Sequence, residues 1–463
     1  MIHQACIVAA GEGSRFGNIT DNTPKPLLRL CGLSLLERVI YTCRKTGIRD
    51  FVIVTGFLGN RIREEIESCK PSDIRIQWAE NEEWKKKNGV SVLKAAPLLE
   101  DRFLLLMSDH IFSAEMLEDV LKKDDGRSFS LAVDPQLDRI FDTEDVTKVS
   151  CEEDKILDIG KELTSYNGAD TGIFIAGGNF LTALELIYAE NGDCSITEGC
   201  RVLIDQNKFR AITIETGFWQ DVDTPACMKE AQHRLLNSLR KDTDGYIAAR
   251  INRRISLFLT SFLCRLPIHP NLMTVCNFFI GAAGALLLAV PGYLNGICGA
   301  LLFQASSIFD GCDGETARLK FTESRLGGWL DLILDNVVHL MIFAAIGRRV
   351  YLTAGKTEAL ILGTLMMVGV ILSIILVSRA GVQDGKLGTL RTGEADSLAL
   401  KIVNYLARRD FTYLLLALSL LGSTGFRIFA WLTGVGANIF AFTVFLLFRG
   451  SGAEAQVDPA EER

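Results

Sequence analysis

Residues 310–335 read DGCDGETARLKFTESRLGGWLDLILD. Four aspartates, Asp310, Asp313, Asp331 and Asp335, stand here between apolar flanks. No Asp, Glu, Lys or Arg occurs between Arg265 and Asp310, and none between Asp335 and Arg348. Asp310 and Asp313 are three residues apart and Asp331 and Asp335 four, so on helices each pair shares one face. Two neighbouring antiparallel helices then aim four carboxylates at one another. Left alone, such groups repel and are costly to desolvate. A divalent cation removes both difficulties, because hard oxygen ligands suit Mg2+ or Mn2+. Gly311, Gly314, Gly327 and Gly328 allow close approach of backbone or substrate. Arg318 offers a planar positive fork suited to phosphate. The alternative is a charge network that merely locks helices together.

The rest of the chain frames this ladder. It has 463 residues, 48% of them hydrophobic, and a mean hydropathy of +0.23. Residues 1–240 carry 29 Lys and Arg against 39 Asp and Glu, whereas residues 241–463 carry 20 against 17. An acidic half followed by a slightly basic, apolar half predicts a soluble domain joined to a membrane domain. No basic tract suits nucleic acid, so no nucleic-acid partner is expected. The 12 cysteines form no C-x-x-C pair, which fits a reducing compartment. The start, MIHQACIVAAGEGSR, lacks a positive n-region and runs into a strand-like segment, so it does not read as a secretory signal.

Six long uncharged segments from 266 onward predict six transmembrane helices, since each crossing of the hydrocarbon core, roughly 30 Å, takes about 20 helical residues. Two lie in 266–309, split at Pro291–Gly296. The others fall at 328–347, 359–378, 411–426 (short) and 428–448, followed by a polar tail, 450–463. Basic loops set orientation. Arg250, Arg253, Arg254 and Arg265 precede the first pass, Arg318, Lys320 and Arg325 follow the second, and Lys386, Arg391, Lys401, Arg408 and Arg409 follow the fourth. These share one side with the soluble domain, which places both termini in the cytoplasm. Arg348, Arg349 and Lys356 run against the trend. Segment 244–266, with basic residues among Ile, Leu and Phe at near-helical spacing, reads as an interfacial amphipathic helix or as an ordinary linker helix.

The pattern Asp310-x2-Asp313-Gly314-x2-Ala317-Arg318-x8-Gly327-x3-Asp331-x3-Asp335 matches the signature of the CDP-alcohol phosphotransferases at every fixed position, and residues 241–449 resemble that six-helix membrane family. The resemblance implies that Asp310, Asp313, Asp331 and Asp335 hold one or two divalent metals on a CDP diphosphate, with Asp335 also the base on the attacking hydroxyl. It implies a CDP site lined by Gly314, Ala317, Arg318 and Ser324, with Asn271 and Thr274 from Pro270-Asn271-x-x-Thr274. Metal-bound phosphate makes CMP a good leaving group.

ACIVAAGEGSRFG (5–17) is a short apolar strand followed by a glycine loop, a design that binds phosphate through backbone N–H groups. FVIVTG (51–56) and FLLLMSD (103–109) alternate with helical stretches, which predicts a mostly parallel, Rossmann-like α/β sheet in residues 1–240. The order strand, Ala9-Ala10-Gly11-x-Gly13-x-Arg15, then Pro24-Lys25-Pro26, resembles the nucleotidyltransferases that make nucleotide-sugars. That resemblance places Ala10, Gly11, Gly13 and Lys25 at a nucleotide, together with Asn88 and Ser91 of Asn88-Gly89-Val90-Ser91. Asp109 and Asp221, the latter from FWQDVDT, become Mg2+ ligands. Arg15 and Lys25 neutralise the triphosphate while a phosphate oxygen attacks the α-phosphorus. Lys161 falls where the family often holds the acceptor phosphate, though a surface lysine is the alternative; for Asp109 the alternative is a strand-end helix cap.

One half makes an activated nucleotide and the other consumes CDP-alcohols, so the first nucleotide is expected to be CTP. The whole arrangement resembles the bifunctional inositol-1-phosphate cytidylyltransferase/CDP-inositol:inositol-1-phosphate transferase family. The resemblance implies CTP, inositol-1-phosphate and CDP-inositol as substrates, a compatible-solute precursor as product, a plasma-membrane location and a homodimer through the membrane domain. Two rival readings stand beside it: a phospholipid-forming transferase using another alcohol, and a degenerate nucleotide-sensing N-terminal module.

Overall fold

A computed structural model describes residues 2–19, 23–239, 250–383 and 411–454. The chain divides into two units, Met1–Ser238 and Leu239–Arg463.

Unit one begins with β1 (Gln4–Ala9), a small ribbon of β2 (Arg29–Leu30) and β3 (Leu33–Ser34), then β4 (Asp50–Thr55), β5 (Arg75–Glu80) and β6 (Arg102–Met107). Strands β1, β4, β5 and β6 are parallel, in the order β5-β4-β1-β6. β1, QACIVA, is buried almost throughout, as a strand covered on both faces must be. Helix α1 (Leu35–Lys45) opens on a capping box, in which Ser34 accepts from the Glu37 N–H and Glu37 from the Ser34 N–H. It buries Leu36, Val39, Ile40 and Cys43 against one face of the sheet. α2 (Gly59–Cys69) adds Ile62 and Ile66 there, and α3 (Asn88–Ala95) covers the other face with Val90, Val92 and Ala95. The strand order reverses between β1 and β6, and in such sheets the crevice at that reversal, beyond the carboxyl ends of the strands, takes the ligand.

The prediction of a mostly parallel sheet holds for this half only. After β7 (His110–Phe112), α4 (Ala114–Lys123), β8 (Phe129–Asp134), β9 (Lys148–Glu152) and β10 (Lys155–Gly160) comes β11 (Gly168–Gly177), which runs antiparallel to both β6 and β8. α5 (Gly178–Asn191), α6 (Ile196–Asp205), β12 (Phe209–Thr213), β13 (Trp219–Asp221) and α7 (Pro225–Ser238) complete the unit. The nine-stranded sheet continues β11-β8-β12-β10-β9, with only β8 and β12 parallel. The cause is connection length. Glu153 and Asp154 alone join β9 to β10, and so short a link closes only an antiparallel pair. No helix intervenes between β10 and β11 to provide a crossover.

Unit two is helical where described: α8 (Asn252–Leu263), α9 (Pro270–Ala289), α10 (Tyr293–Leu319), α11 (Arg325–Ala354), α12 (Lys356–Gln383), α13 (Phe411–Ser419) and α14 (Gly422–Glu454). α9 starts on a proline at its first turn, where the missing N–H costs nothing. Leu288, Phe303, Val338, Ile342, Ile346, Met366, Phe426 and Phe429 form the core. Leu272, Phe279, Leu286, Leu294, Leu326 and Leu360 are exposed, so these helices are apolar on both faces. Among the described residues two helices are long and apolar enough to cross a membrane, Pro270–Ala289 and Arg325–Thr353.

The structure adjusts several predicted boundaries. The fifth predicted pass ends early, because the helix breaks at Leu420–Leu421. The described part of α13 is nine residues, about 14 Å at 1.5 Å per residue, too short to cross alone. α14 continues to Glu454, into the predicted tail. The predicted helix 244–266 is observed as Asn252–Leu263; its first residues, 244–249, and Lys386, Arg391, Lys401, Arg408 and Arg409 lie outside the described residues. Arg349, which ran against the charge trend, is 3% exposed and donates to the carbonyls of Leu288, Val290 and Gly292 at 2.7, 2.5 and 2.9 Å. Arg348 donates to Ala289. Both caps complement the C-terminal end of α9, a structural reason for basic residues at that end.

Candidate active site

In unit one the loops that leave β1 and β6 enclose a cleft of about 330 Å3, lined by Ala10, Gly11, Gly13, Arg15, Lys25, Asn88, Ser91, Asp109 and Asp223 among others. All the residues the sequence assigned to a nucleotide in this half meet there. Gly13 has φ 71°, and a Cβ would fall 2.6 Å from Lys25 Cβ, so only glycine fits beside that lysine. Lys25 is 7% exposed; its ammonium lies 2.5 Å from Asp109 Oδ2 and also contacts Asp223. Burial disfavours its charge, but Asp109, Asp223 and Asp221 outweigh burial and hold it protonated, above the usual lysine range. Asn88 Oδ1 accepts from the Ile196 N–H at 3.0 Å, and Ser91 Oγ from Asn81 Nδ2 at 2.9 Å.

The short β7–β13 ribbon sets Asp221 opposite His110. Asp109, His110 and Asp221 therefore converge, as do Asp145, Asp221 and Asp223, each group with its ligand atoms within 4.8 Å of one another. Asp109 is no helix cap: Ser113 caps α4, accepting from the Met116 N–H at 3.3 Å. Despite burial, Lys25 and His110 keep the Asp109 carboxyl well below its ordinary range. Burial, aided by the charges of Asp109 and Asp223, pushes Asp221 up to about 6. His110, half-buried but facing Asp221, Asp109 and Asp170, is raised to about 9.

Lys161 is tied into the same network. Its Nζ lies 2.5 Å from Asp145 Oδ1, and Asp145 also binds Arg15, which in turn binds Asp223. Asp145, Asp223 and His110 are the site residues that sequence reasoning missed. Asp223 and His110 adjoin residues that were singled out. Asp145, in the loop between β8 and β9, carried no local signal.

In unit two Asp310 and Asp313 are 8% and 5% exposed. Thr274 Oγ1, at the start of α9, donates to Asp313 Oδ2 at 2.5 Å, which joins two motifs that the sequence held apart. Ser324 Oγ caps α11 by accepting from the Gly327 N–H at 3.0 Å. A Cβ at Gly327 would stand 2.9 Å from Asn271 Oδ1, so Asn271, Ser324 and Gly327 meet through a glycine. Gly314, Ala317 and Arg318 follow along α10, Arg318 half-buried. Asp331 and Asp335 lie on α11, partly exposed, and Asp335 Oδ2 is 3.9 Å from His339 Nδ1. Both aspartate-bearing helices pack along α9. Among the described residues the four ladder aspartates do not form one of the tightly convergent acid groups.

Both donor sets fit a hard divalent cation. In unit one Asp221 Oδ1 is buried with no hydrogen-bond partner, an orphaned acceptor beside two further carboxylates. In unit two the donors are carboxylates set in an apolar helical unit.

The glycine-loop cleft on a Rossmann-like sheet, followed by the complete aspartate ladder, defines a two-part transferase that joins a nucleotidyltransferase-like domain to a CDP-alcohol phosphotransferase domain. Comparison with known proteins agrees. Residues 5–137 match the MobA-like NTP transferase domain and residues 267–439 the CDP-alcohol phosphatidyltransferase family. A bifunctional IPC transferase and DIPP synthase from Aquifex aeolicus is 32% identical over 75% of this chain and 78% of its own length. The protein of that name from Thermococcus kodakarensis is 34% identical over 75% and 77%. The inositol-1-phosphate CTP transferase structure from T. maritima aligns with 50% of this chain and 96% of its own, at 24% identity and a TM-score of 0.45. The chain belongs to the family of bifunctional IPC transferases and DIPP synthases.

Proposed function

We propose that unit one converts CTP and inositol-1-phosphate to CDP-inositol and diphosphate. Unit two then transfers phosphoinositol from CDP-inositol to a second inositol-1-phosphate, releasing CMP. In unit one Lys25 and Arg15 neutralise the triphosphate, the backbone of Gly11 and Gly13 approaches it closely, and Lys161 holds the acceptor phosphate in line for attack. Asn88 and Ser91 border the nucleotide. In unit two Asn271, Thr274, Gly314, Ala317, Arg318 and Ser324 hold the CDP, and Asp335 accepts the proton of the attacking hydroxyl. A divalent cation, Mg2+ or Mn2+, held by Asp109 and Asp221 in unit one and by Asp310, Asp313, Asp331 and Asp335 in unit two, supplies charge neutralisation on the phosphates.

Residues 241–449 form the membrane domain, with six helices, the amphipathic segment 244–266 and a cytoplasmic N-terminal domain in residues 1–240. The exposed apolar side chains of unit two and its two span-length helices support this placement. A homodimer through the membrane domain is tested by crosslinking. The observation that carries the reading is the convergence of Lys25, Arg15, Asp109 and Asp223 on a glycine-loop cleft, in a chain whose second half holds the full ladder.

The decisive experiment incubates purified protein with CTP and a panel of polyol phosphates and identifies products by mass. CDP-inositol followed by a di-inositol phosphate phosphate is expected. A lipid product, or no CDP-polyol, overturns the reading.

A further inference from the structure

One stripe of α8 is polar and faces α10, while its outward side carries Ile255, Phe258 and Phe262 beside the exposed Arg254. Arg253, Ser256 and Thr260 recur at i, i+3 and i+7, a single helical face, and all three end on one group, the carboxylate of Glu315. Ser256 Oγ donates to Oε1 at 2.7 Å, Thr260 Oγ1 to Oε2 at 2.6 Å, and Arg253 Nη1 lies 2.9 Å from Oε1. Glu315 is 0% exposed, whereas Ile255, Phe258 and Phe262 are 40%, 63% and 52% exposed. Glu315 stands two residues after Asp313 and three before Arg318, so the clamp grips the turn of α10 that bears the metal and phosphate residues. Arg318 is surrounded by the charges of Arg253, Glu315, Glu323 and Asp313, and its Nε is buried without a hydrogen-bond partner.

Taking a carboxylate out of water is costly unless donors replace the water, and apolar packing joins two helices at least as well as a buried ion pair. What this pairing adds is geometry. Three donors reach both oxygens at one rotation and one axial position of α8 only.

We propose that Glu315 is a positioning residue of the phosphotransferase. It sets the register of α8 on α10 and so fixes the turn of α10 on which Asp313 and Arg318 stand. The proposal rests on the phosphotransferase reading of unit two.

The test measures transfer from supplied CDP-inositol to inositol-1-phosphate by the full-length protein, with CTP-dependent diphosphate release from the same preparation as a control of protein amount and a thermal melt of the full-length protein as the control of folding. Glu315→Gln keeps an acceptor for a hydroxyl and loses the charge. It is expected to raise KM for CDP-inositol about tenfold, the range for losing a charge-assisted hydrogen bond, with kcat within about twofold and diphosphate release unchanged. Glu315→Asp, which keeps the charge, recovers part of that loss. The double variant Arg253→Leu with Glu315→Leu restores apolar packing and is expected to melt like the parent yet keep the raised KM. If Glu315→Gln fails to fold, Ser256→Ala with Thr260→Val removes two of the three donors and carries the same expectation. A parental KM in Glu315→Gln or in the double leucine variant overturns the proposal and leaves Glu315 as helix packing alone. Absence of transfer by the parent protein overturns the phosphotransferase reading itself, and this proposal with it.

Discussion

Replacing Lys25 with methionine keeps the length of the side chain and removes its charge. In the cleft this ammonium lies between Asp109 and Asp223, with side-chain exposures of 9% for the lysine and 26% and 23% for the acids. Removing one partner of a fully buried ion pair costs about 3–5 kcal/mol. The acids here keep some access to water, so a loss of roughly 2–3 kcal/mol in unit one is expected when no divalent ion is added. Two carboxylates with no ammonium between them also hold a cation more tightly. The variant should therefore gain more thermal stability from millimolar Mg2+ than the parent does. In catalysis the same lysine faces a far larger charge, the triphosphate, and loss of one such electrostatic group lowers kcat by about 100- to 1,000-fold. The assay is CTP-dependent diphosphate release, run beside transfer from supplied CDP-inositol and beside thermal melts with and without Mg2+. Transfer should be unaffected, because the two acid sets lie in separate units. Diphosphate release within about tenfold of the parent, a difference of about 1.4 kcal/mol in the barrier, would refute the role of Lys25. Loss of both activities in a protein that still melts cooperatively would refute two independent sites.

Further expectations concern the other parts of the machinery. Lys161→Ala should raise KM for inositol-1-phosphate about tenfold and change KM for CTP little, a split that steady-state kinetics reads directly. Residues 1–240 expressed alone should be soluble and prefer CTP over UTP, ATP and dTTP; equal use of UTP would break the link between the halves. Asp335→Asn should abolish transfer while weakening CDP binding, measured calorimetrically, less than Asp313→Asn does. An amide accepts no proton but keeps an oxygen, and transfer within about tenfold of the parent would leave Asp335 a ligand only.

Much of the site was legible because its chemistry is local. The glycine loop and Asp109 each follow a strand end, and Lys25 was marked by the motif it shares with the resembling family; the structure brings all three to one cleft. The ladder signature is contiguous enough to name its residues directly. What escaped is what only tertiary structure brings near. Asp145 reaches Arg15 across 130 positions of sequence, and nothing around it marks it out from other surface acids. The direction of β11 escaped for a related reason: an apolar strand reads the same whether its neighbours run with it or against it. Its partners β6 and β8 end at Met107 and Asp134, far upstream of Gly168, so no local signal set its direction.

Segment 244–266 makes the same point with opposite sign. It was read as an interfacial amphipathic helix or an ordinary linker helix, and the natural inference from basic residues among apolar ones is a polar face toward water. The fold uses the polar stripe differently. Arg253, Ser256 and Thr260 turn inward to one carboxylate, while Ile255, Phe258 and Phe262 are left outside. Glu315 could not be picked out in the sequence, because it stands at a variable position of the signature among stronger acids, and its partners lie 55 to 62 residues upstream. The inversion has a physical cause. A buried carboxylate needs donors in place of water, so Arg253, Ser256 and Thr260 are drawn to Glu315, while Arg254 stays exposed on the other side. The outward side is tested by a spin label on Phe258→Cys of the full-length protein in lipid vesicles, which should be relaxed more by oxygen than by a water-soluble nickel chelate, with diphosphate release spared. Stronger relaxation by the water-soluble reagent would show that this side does not face lipid.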